Sequence, residues 1–265
     1  MTSGLEPPDA AARGTAAAEP VVLLHGVGLD HTVWDRVAAD LTARGHRVVV
    51  PDLPGHGSGP RMGDGADLAE LANLVETQVP LGAHLVGFSL GALVAQSLAA
   101  RRLRDQGPAA VASLTSVSAV CRRTDAERAA VLDRLRTAET DPRAATAASL
   151  ARWFEGTEVP RAEVDRTRSV LERQDPAQFL RCYRVFATGD AVVAPLLPLL
   201  RLPALAVTGA DDPGSTPEMT HRLADTIPGC RAEVLPGVRH MLPMQAPAAL
   251  THLLLDLFTG RTVHV

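Results

Sequence analysis

The pentapeptide Gly87-Phe88-Ser89-Leu90-Gly91 fits the pattern G-x-S-x-G, and a serine at its centre is a candidate nucleophile. The flanking residues predict a strand over 84–88 and a helix over 90–104, which is the strand, turn and helix that the pattern needs. At so sharp a bend the serine backbone is strained. The residues two before and two after it nearly touch, so both must be small, as Gly87 and Gly91 are. The turn pushes the hydroxyl above the sheet, and the helix that follows aims its first amides at the same spot, where they favour negative charge.

A serine hydroxyl is a weak nucleophile until a base takes its proton. The chain holds nine histidines, and His240 is the best placed. It follows the last predicted strand in Leu235-Pro236-Gly237-Val238-Arg239-His240, at the same end of the sheet as Ser89. His84 begins a strand at the opposite end, His221 and His252 fall inside predicted helices, and His46 and His264 sit at element edges. Those five read as solvated or capping side chains. The base needs a carboxylate to orient it. Thr208-Gly209-Ala210-Asp211-Asp212-Pro213 ends the penultimate strand with two acids, of which Asp212 is preferred and Asp211 is the alternative. Asp-Pro-Gly-Ser is also good turn chemistry, so one of the pair serves only the turn. The order Ser89, Asp212, His240 suits a nucleophile, acid and base on one such sheet. A tetrahedral intermediate needs two donors for its oxyanion. The Leu90 amide is one, and the Val27 amide in His25-Gly26-Val27-Gly28 is the other. His25, and His56 in Pro54-Gly55-His56-Gly57, read as structural ties.

These groups need a scaffold, and the pattern supplies an α/β one. Apolar runs at 21–25, 47–52, 84–88, 111–120, 204–209 and 232–235 read as strands of a mostly parallel sheet. Helical periodicity falls between them at 32–43, 67–79, 90–104, 217–226 and 246–258. Residues 122–200 show no convincing strand and read as an all-helical insertion, with Pro142, Pro160, Pro176 and Pro195 at or near helix starts. The expected organisation is a flexible leader over 1–20, a core over 21–121 and 201–265, and a helical cap over 122–200.

Composition excludes several other classes. Acids outnumber bases 30 to 26 and aromatics are 3%, which argues against nucleic acid as a partner. Three cysteines stand far apart in no metal-ligand spacing, so neither a disulfide framework nor a metal site is expected. No run approaches the ~20 apolar residues of a membrane span. The first residues lack the basic start and apolar run of a signal peptide, and the cytoplasm is the expected compartment.

Together LLHGVG, DLPGHGSG, GFSLGALVA, TGADDPGSTPEM and LPGVRHMLP resemble the α/β-hydrolase family over residues 21–258. The resemblance implies that the acid stands three residues after the strand-end glycine, at Asp212, and that a helical cap follows the sixth family strand. Within the family, Arg152-Trp153-Phe154, Gly214-Ser215-Thr216-Pro217 and Arg239-His240-Met241 look most like 3-oxoadipate enol-lactonases. Those enzymes usually carry Arg-Gly-His-Gly where this chain has Pro54-Gly55-His56-Gly57. The family's opening β-hairpin has no counterpart before Val21, so about six strands are expected, with one edge bare or covered by a partner, which allows a homodimer. The implied activity is hydrolysis of a small-molecule ester or lactone through an acyl-serine, with no cofactor. C–C bond hydrolysis, thioester hydrolysis and a silent ligand receptor are the alternatives. Trp34, Phe88, Arg152, Trp153 and Phe154 are the expected substrate contacts, with Tyr183 and Phe186 as further lining, and Arg152 suits a substrate carboxylate.

Overall fold

The structure, a computed structural model, describes residues 19–260, so nearly all of the expected leader lies outside the described residues. Among the described residues six strands are present: β1 (Val21–Leu24), β2 (Val48–Val49), β3 (Ala83–Phe88), β4 (Val111–Val117), β5 (Ala204–Gly209) and β6 (Cys230–Leu235). The helices are α1 (Asp35–Ala43), α2 (Leu68–Glu76), α3 (Leu90–Gln106), α4 (Asp125–Thr140), α5 (Pro142–Phe154), α6 (Arg161–Arg173), α7 (Pro176–Val193), α8 (Pro217–Thr226), α9 (Leu242–Gln245) and α10 (Pro247–Phe258).

All strand pairs are parallel, in the order β2-β1-β3-β4-β5-β6. The α/β class with six strands is therefore what the residues build. Strand side chains alternate between two cores. Val22, Leu24, Leu85, Ala204 and Ala206 join the layer under α2, α3 and α7, while Val21, Leu23, Val86, Leu205 and Val207 join the layer under α1 and α10. The chain runs from β1 outward to β2, then back across β1 to β3. That reversal opens a crevice beyond the carboxyl ends of β1 and β3, where α/β sheets bind ligands. Leu24 sits in register with Gly87, so the loop after β1 lies beside the serine turn.

Several boundaries differ from the sequence expectation for physical reasons. The strand expected over 111–120 stops at Val117, because Ser118 turns to φ 44° and gives its N–H to Val207 O. The strand expected over 47–52 pairs only at Val48–Val49, where β1 is its one neighbour at the sheet edge. The first helix opens as a 3-10 turn, His31–Trp34, capped by Asp30. Pro142 and Pro176 are first helical residues and Pro160 caps α6, but Pro195 lies in the turn that closes α7.

Four helices, α4 to α7, connect β4 to β5. Thr124 and Glu127 close a capping box on α4, and Asp141 and Asp175 cap α5 and α7. A buried ion pair locks this segment at its start: Arg123 Nη1 meets Asp190 Oδ1 at 2.8 Å, and the two side chains are 1% and 0% exposed. Arg128 takes the other Asp190 oxygen at 3.0 Å. On the far side, the Gln178 amide accepts from Met62 N–H and donates to Met62 O, tying α7 to the loop after β2.

Two buried histidines hold the loop after β1. His25 Nδ1–H donates to Gly26 O at 2.8 Å, and its Nε2 accepts from Leu53 N–H at 2.8 Å. His56 Nδ1–H donates to Pro54 O at 3.0 Å, and its Nε2 accepts from Gly28 N–H at 2.9 Å. Each ring is thus a neutral tautomer with both nitrogens used. Burial pushes His25 down to about 4, and burial with His25 nearby pushes His56 down to about 3.

Two stability predictions follow from these ties. Asp190→Ala leaves Arg123 buried without its charge partner and is expected to cost about 3–5 kcal/mol, read as a lower urea midpoint. Joint replacement by Arg123→Met and Asp190→Leu should recover most of that loss. The unfolded chain protonates His25 below pH 6.5, whereas the native ring stays neutral until about pH 4. Stability is therefore full above pH 6.5 and declines as pH falls toward 4, by roughly 3 kcal/mol for this ring alone. Urea titrations from pH 7 to 4 should show that decline, and His25→Gln, which keeps a hydrogen-bonding amide without that ring's titration, should make it shallower.

Candidate active site

Ser89 occupies the bend between β3 and α3 with φ 54° and ψ −112°, a conformation that L-residues rarely adopt. A Cβ on Gly87 would collide with Gly91 O and Ala92 Cα, and one on Gly91 with Leu24 O and His25 O. The small residues of the pattern are therefore required by packing on two sides. Ser89 N–H donates to Val117 O at 2.9 Å, which fastens the bend to β4. Leu90 begins α3, and its N–H has no partner among the described residues; the same holds for the N–H of Val27 in the buried loop after β1. Buried amides are nearly always paired, so these two, one at the serine turn and one in a loop that lines the same cavity as Ser89, are free to receive a hydrogen-bond acceptor.

Asp212 follows β5 and is 2% exposed, whereas Asp211 points to solvent and only its backbone N–H is engaged, with Val238 O at 2.9 Å. Asp212 Oδ2 meets His240 Nδ1 at 2.8 Å, and Oδ1 accepts from Gly214 and Ser215 N–H at 2.8 and 2.9 Å. Burial alone would raise this carboxyl, but the His240 ring and the two amides hold it below the usual carboxylate range. Nδ1 of His240 must carry a proton to bond the carboxylate, which leaves Nε2 as the basic nitrogen. The ring is packed between Phe88 and Trp153, with centroids at 5.0 and 5.9 Å. His240 and Ser89 line one cavity enclosing about 40 Å³ of free space. No hydrogen bond joins Ser89 to His240 among the described residues; such contacts tighten when substrate binds.

Phe88, Arg152 and Trp153 line this cavity, as do Tyr183 and Phe186. Trp34 and Phe154 do not, which corrects the expectation for both. Trp34 is fully buried, meets Phe88 edge to face at 6.3 Å and belongs to the core under α1 and α10. Phe154, one residue beyond Trp153 on α5, turns into the same core. His84 is not solvated either: burial lowers it to about 4, its Nδ1 bonds Ser113 Oγ at 2.8 Å, and its ring stacks on Phe258 at 3.8 Å. His264 lies outside the described residues.

The sequence reading missed two contributors. Ser118 Oγ donates to His240 O at 3.1 Å from a residue at φ 44°, bracing the histidine loop against β4. Arg134 of α4 also lines the cavity. The histidine loop is fastened to α5 as well, since Arg239 N–H donates to Gln245 Oε1 at 2.6 Å and Gln245 Nε2 to Trp153 O at 3.2 Å. Among the described residues, no cluster of three or more His, Cys, Asp or Glu side chains is arranged to hold a metal ion. No helix among them is long and apolar enough to cross a membrane.

Comparison with known proteins places the chain among hydrolases. The chain is 31% identical over 236 residues to (E)-2-((N-methylformamido)methylene)succinate hydrolase of Acinetobacter baylyi, covering 86% of each protein. The enol-lactonase of Burkholderia xenovorans superposes with a TM-score of 0.79 at 25% identity, over 95% of this chain and 94% of that one. An esterase from Exiguobacterium antarcticum shares the fold at a TM-score of 0.81 and 19% identity, over 92% of each chain. A model of the alpha/beta hydrolase family matches residues 21–253, and the chain belongs to that family.

Proposed function

We propose that this hydrolase cleaves a small-molecule ester or lactone through a covalent acyl-Ser89 intermediate. The observation that carries the reading is the buried Asp212–His240 pair, which shares a cavity with a serine held at a strained turn. His240 Nε2 takes the Ser89 proton as Oγ attacks the substrate carbonyl. Asp212 keeps the proton on Nδ1 and stabilises the imidazolium that forms. The carbonyl oxygen becomes an oxyanion against the Val27 and Leu90 amides. His240 then protonates the leaving alkoxide or enolate. In the second half it deprotonates a water that attacks the acyl carbon, and Ser89 leaves with that proton.

Residues 122–200 act as the cap in this reading. They roof the cavity with Arg152, Trp153, Tyr183 and Phe186 and set the shape of the substrate. The enol-lactonase neighbour, at 25% identity, supports the ester or lactone class over C–C bond chemistry. Cys121 and Cys182 are buried free thiols and Cys230 is a half-buried one, which suits a reducing cytoplasm.

Ser89→Ala should lower ester and lactone turnover by at least about a thousandfold while leaving the urea midpoint unchanged, and retained turnover would refute the acyl-serine scheme. Asp212→Asn should cost about 10⁴ in kcat by favouring the wrong His240 tautomer, whereas Asp211→Asn should leave kcat within a factor of two. A fluorophosphonate reagent should add to Ser89, as peptide mass spectrometry would show. A silent receptor would leave that serine unlabelled.

A further inference from the structure

The Val27 amide, one of the two donors of the proposed reaction, belongs to a turn whose successive peptide planes are held by different partners. A trans peptide sets its C=O and N–H in opposite directions, so whatever fixes one fixes the other. Gly26 O accepts from His25 Nδ1–H at 2.8 Å and from Leu29 N–H at 3.3 Å, and the Val27 N–H shares its plane. In the next plane, Gly28 N–H donates to His56 Nε2 at 2.9 Å. In the third, Gly28 O accepts from Gln174 Nε2 at 3.2 Å. The first two planes are held from the core. The third is held from the cap, because Gln174 closes the C-terminal end of α6 where the chain turns toward α7.

That third plane has the greatest need of a tie. Gly28 sits at φ 75°, and a glycine rotates more freely than any other residue. The Leu29 N–H lies in the plane that Gln174 holds, and its bond to Gly26 O is the longest of those that close the turn. A swing of this plane opens that bond and leaves Gly26 O, and with it the direction of the Val27 N–H, to His25 alone. The cap also packs on Gly28 directly. A Cβ there would stand 2.8 Å from Phe179 Cε2 and 2.9 Å from Leu171 Cδ2, on α7 and α6. The turn in its turn abuts the nucleophile, since a Cβ on Gly26 would stand 3.3 Å from Ser89 Cβ. Contacts therefore run without a break from the junction of α6 and α7, through Gly28 and Gly26, to Ser89.

We propose that Gln174 is a positioning residue, which through Gly28 O holds the Val27 amide in place for the oxyanion. This rests on the acyl-Ser89 reading, in which the Val27 and Leu90 amides receive that charge. Gln174 is not among the residues that line the Ser89 cavity, so it acts on the transition state through the turn and not on substrate affinity. The donor pair is then complete only while the junction of α6 and α7 is seated on the turn, a dependence that no motif marks.

Steady-state hydrolysis of p-nitrophenyl butyrate by the full chain tests the role. Gln174→Met keeps the length of the side chain and loses the donor; Gln174→Glu keeps the shape and sets an acceptor against Gly28 O. Each should lower kcat at least about tenfold and leave KM within a factor of two, since a displaced oxyanion donor costs in the transition state alone. Gln174 is half-buried, and an unchanged urea midpoint verifies that both variants fold. Arg61→Gln removes the ion pair with Asp175, the next residue, and spares the Gly28 bond, so its kcat should stay within a factor of two. Trifluoromethyl propyl ketone reads the oxyanion site without turnover. Ser89 Oγ bonds to its carbonyl carbon, the C=O π pair moves onto oxygen, and the hydroxyl proton passes to His240 Nε2. Affinity for this adduct should fall in each Gln174 variant by the same factor as kcat/KM. An unchanged kcat in the Gln174 variants, a loss carried by KM, an unchanged ketone affinity, or an equal loss in Arg61→Gln would overturn the positioning role and leave the hydrolase reading standing. Full turnover in Ser89→Ala, or no ketone adduct on the unmodified chain, overturns the acyl-serine reading itself.

Discussion

The backbone of Ser89 is held where a serine would not rest by itself, and the rest of the site is arranged around that cost. A residue at φ 54° and ψ −112° is strained by about 1–3 kcal/mol, and such strain persists only when the surroundings over-determine it. Three contacts do so here. Ser89 N–H is bonded to β4, Gly87 abuts Gly91 and Ala92, and Gly91 abuts the carbonyls at the end of β1. The helix α3 that continues the bend is buried along its first three turns, so the turn cannot relax by lifting it. The strain has a chemical return. It sets Ser89 against the cavity that Val27 of the loop after β1 also lines, and the pairing of β1 with β3 brings that loop beside the turn.

Histidine type alone does not determine role in this molecule; the partner of each ring does. His25 and His56 lie in loops that border the crevice, yet each spends both nitrogens on backbone groups and is kept neutral by burial. His240 has a carboxylate on one nitrogen and an open cavity at the other. A second cluster, His31, Asp52 and Ser58, contains the same three residue types as the site and does something else. Both His31 Nδ1 and Ser58 Oγ meet Asp52, at 2.8 Å each. Burial would raise the Asp52 carboxyl, but hydrogen bonds from Ser58 and His31 hold it well below its usual range. A hydroxyl that donates to so weak a base is not activated, and the cluster serves to fold the glycine-rich loop after β2.

How much of this was legible in the sequence depended on whether the signal was local. Ser89 was, because the steric demand of the bend writes glycines two residues away on either side. His240 and the acid could be placed at strand ends by chain order, but choosing Asp212 over Asp211 turns on which side chain points inward after β5, which a three-dimensional loop decides. Strand β4 ended early because of a single positive φ at Ser118, and nothing in VASLTSVSAV marks which serine breaks. Trp34 and Phe154 were misread for one reason: a large aromatic near a site is equally suited to the core beneath it, and helix phase separates Trp153 from Phe154 by about 100°. Arg134 was hidden among the many arginines of α4 to α7, several of which serve ion pairs at the surface.

The side chains that line the cavity beside Ser89 also hold the His240 ring, which in the proposed reaction joins the fit of the substrate to the placement of the base. Trp153 stacks on the His240 ring, and its carbonyl is bound by Gln245, which in turn holds Arg239 beside the histidine. Arg239 Nη1 adds a bond to Glu155 O at 2.8 Å, closing a ring of contacts between α5 and the loop after β6. At the other end, Arg123 and Asp190 anchor α7 to the segment after β4, a few residues beyond the serine that braces His240. A helix layer fastened at both ends in this way cannot shift without disturbing the imidazole.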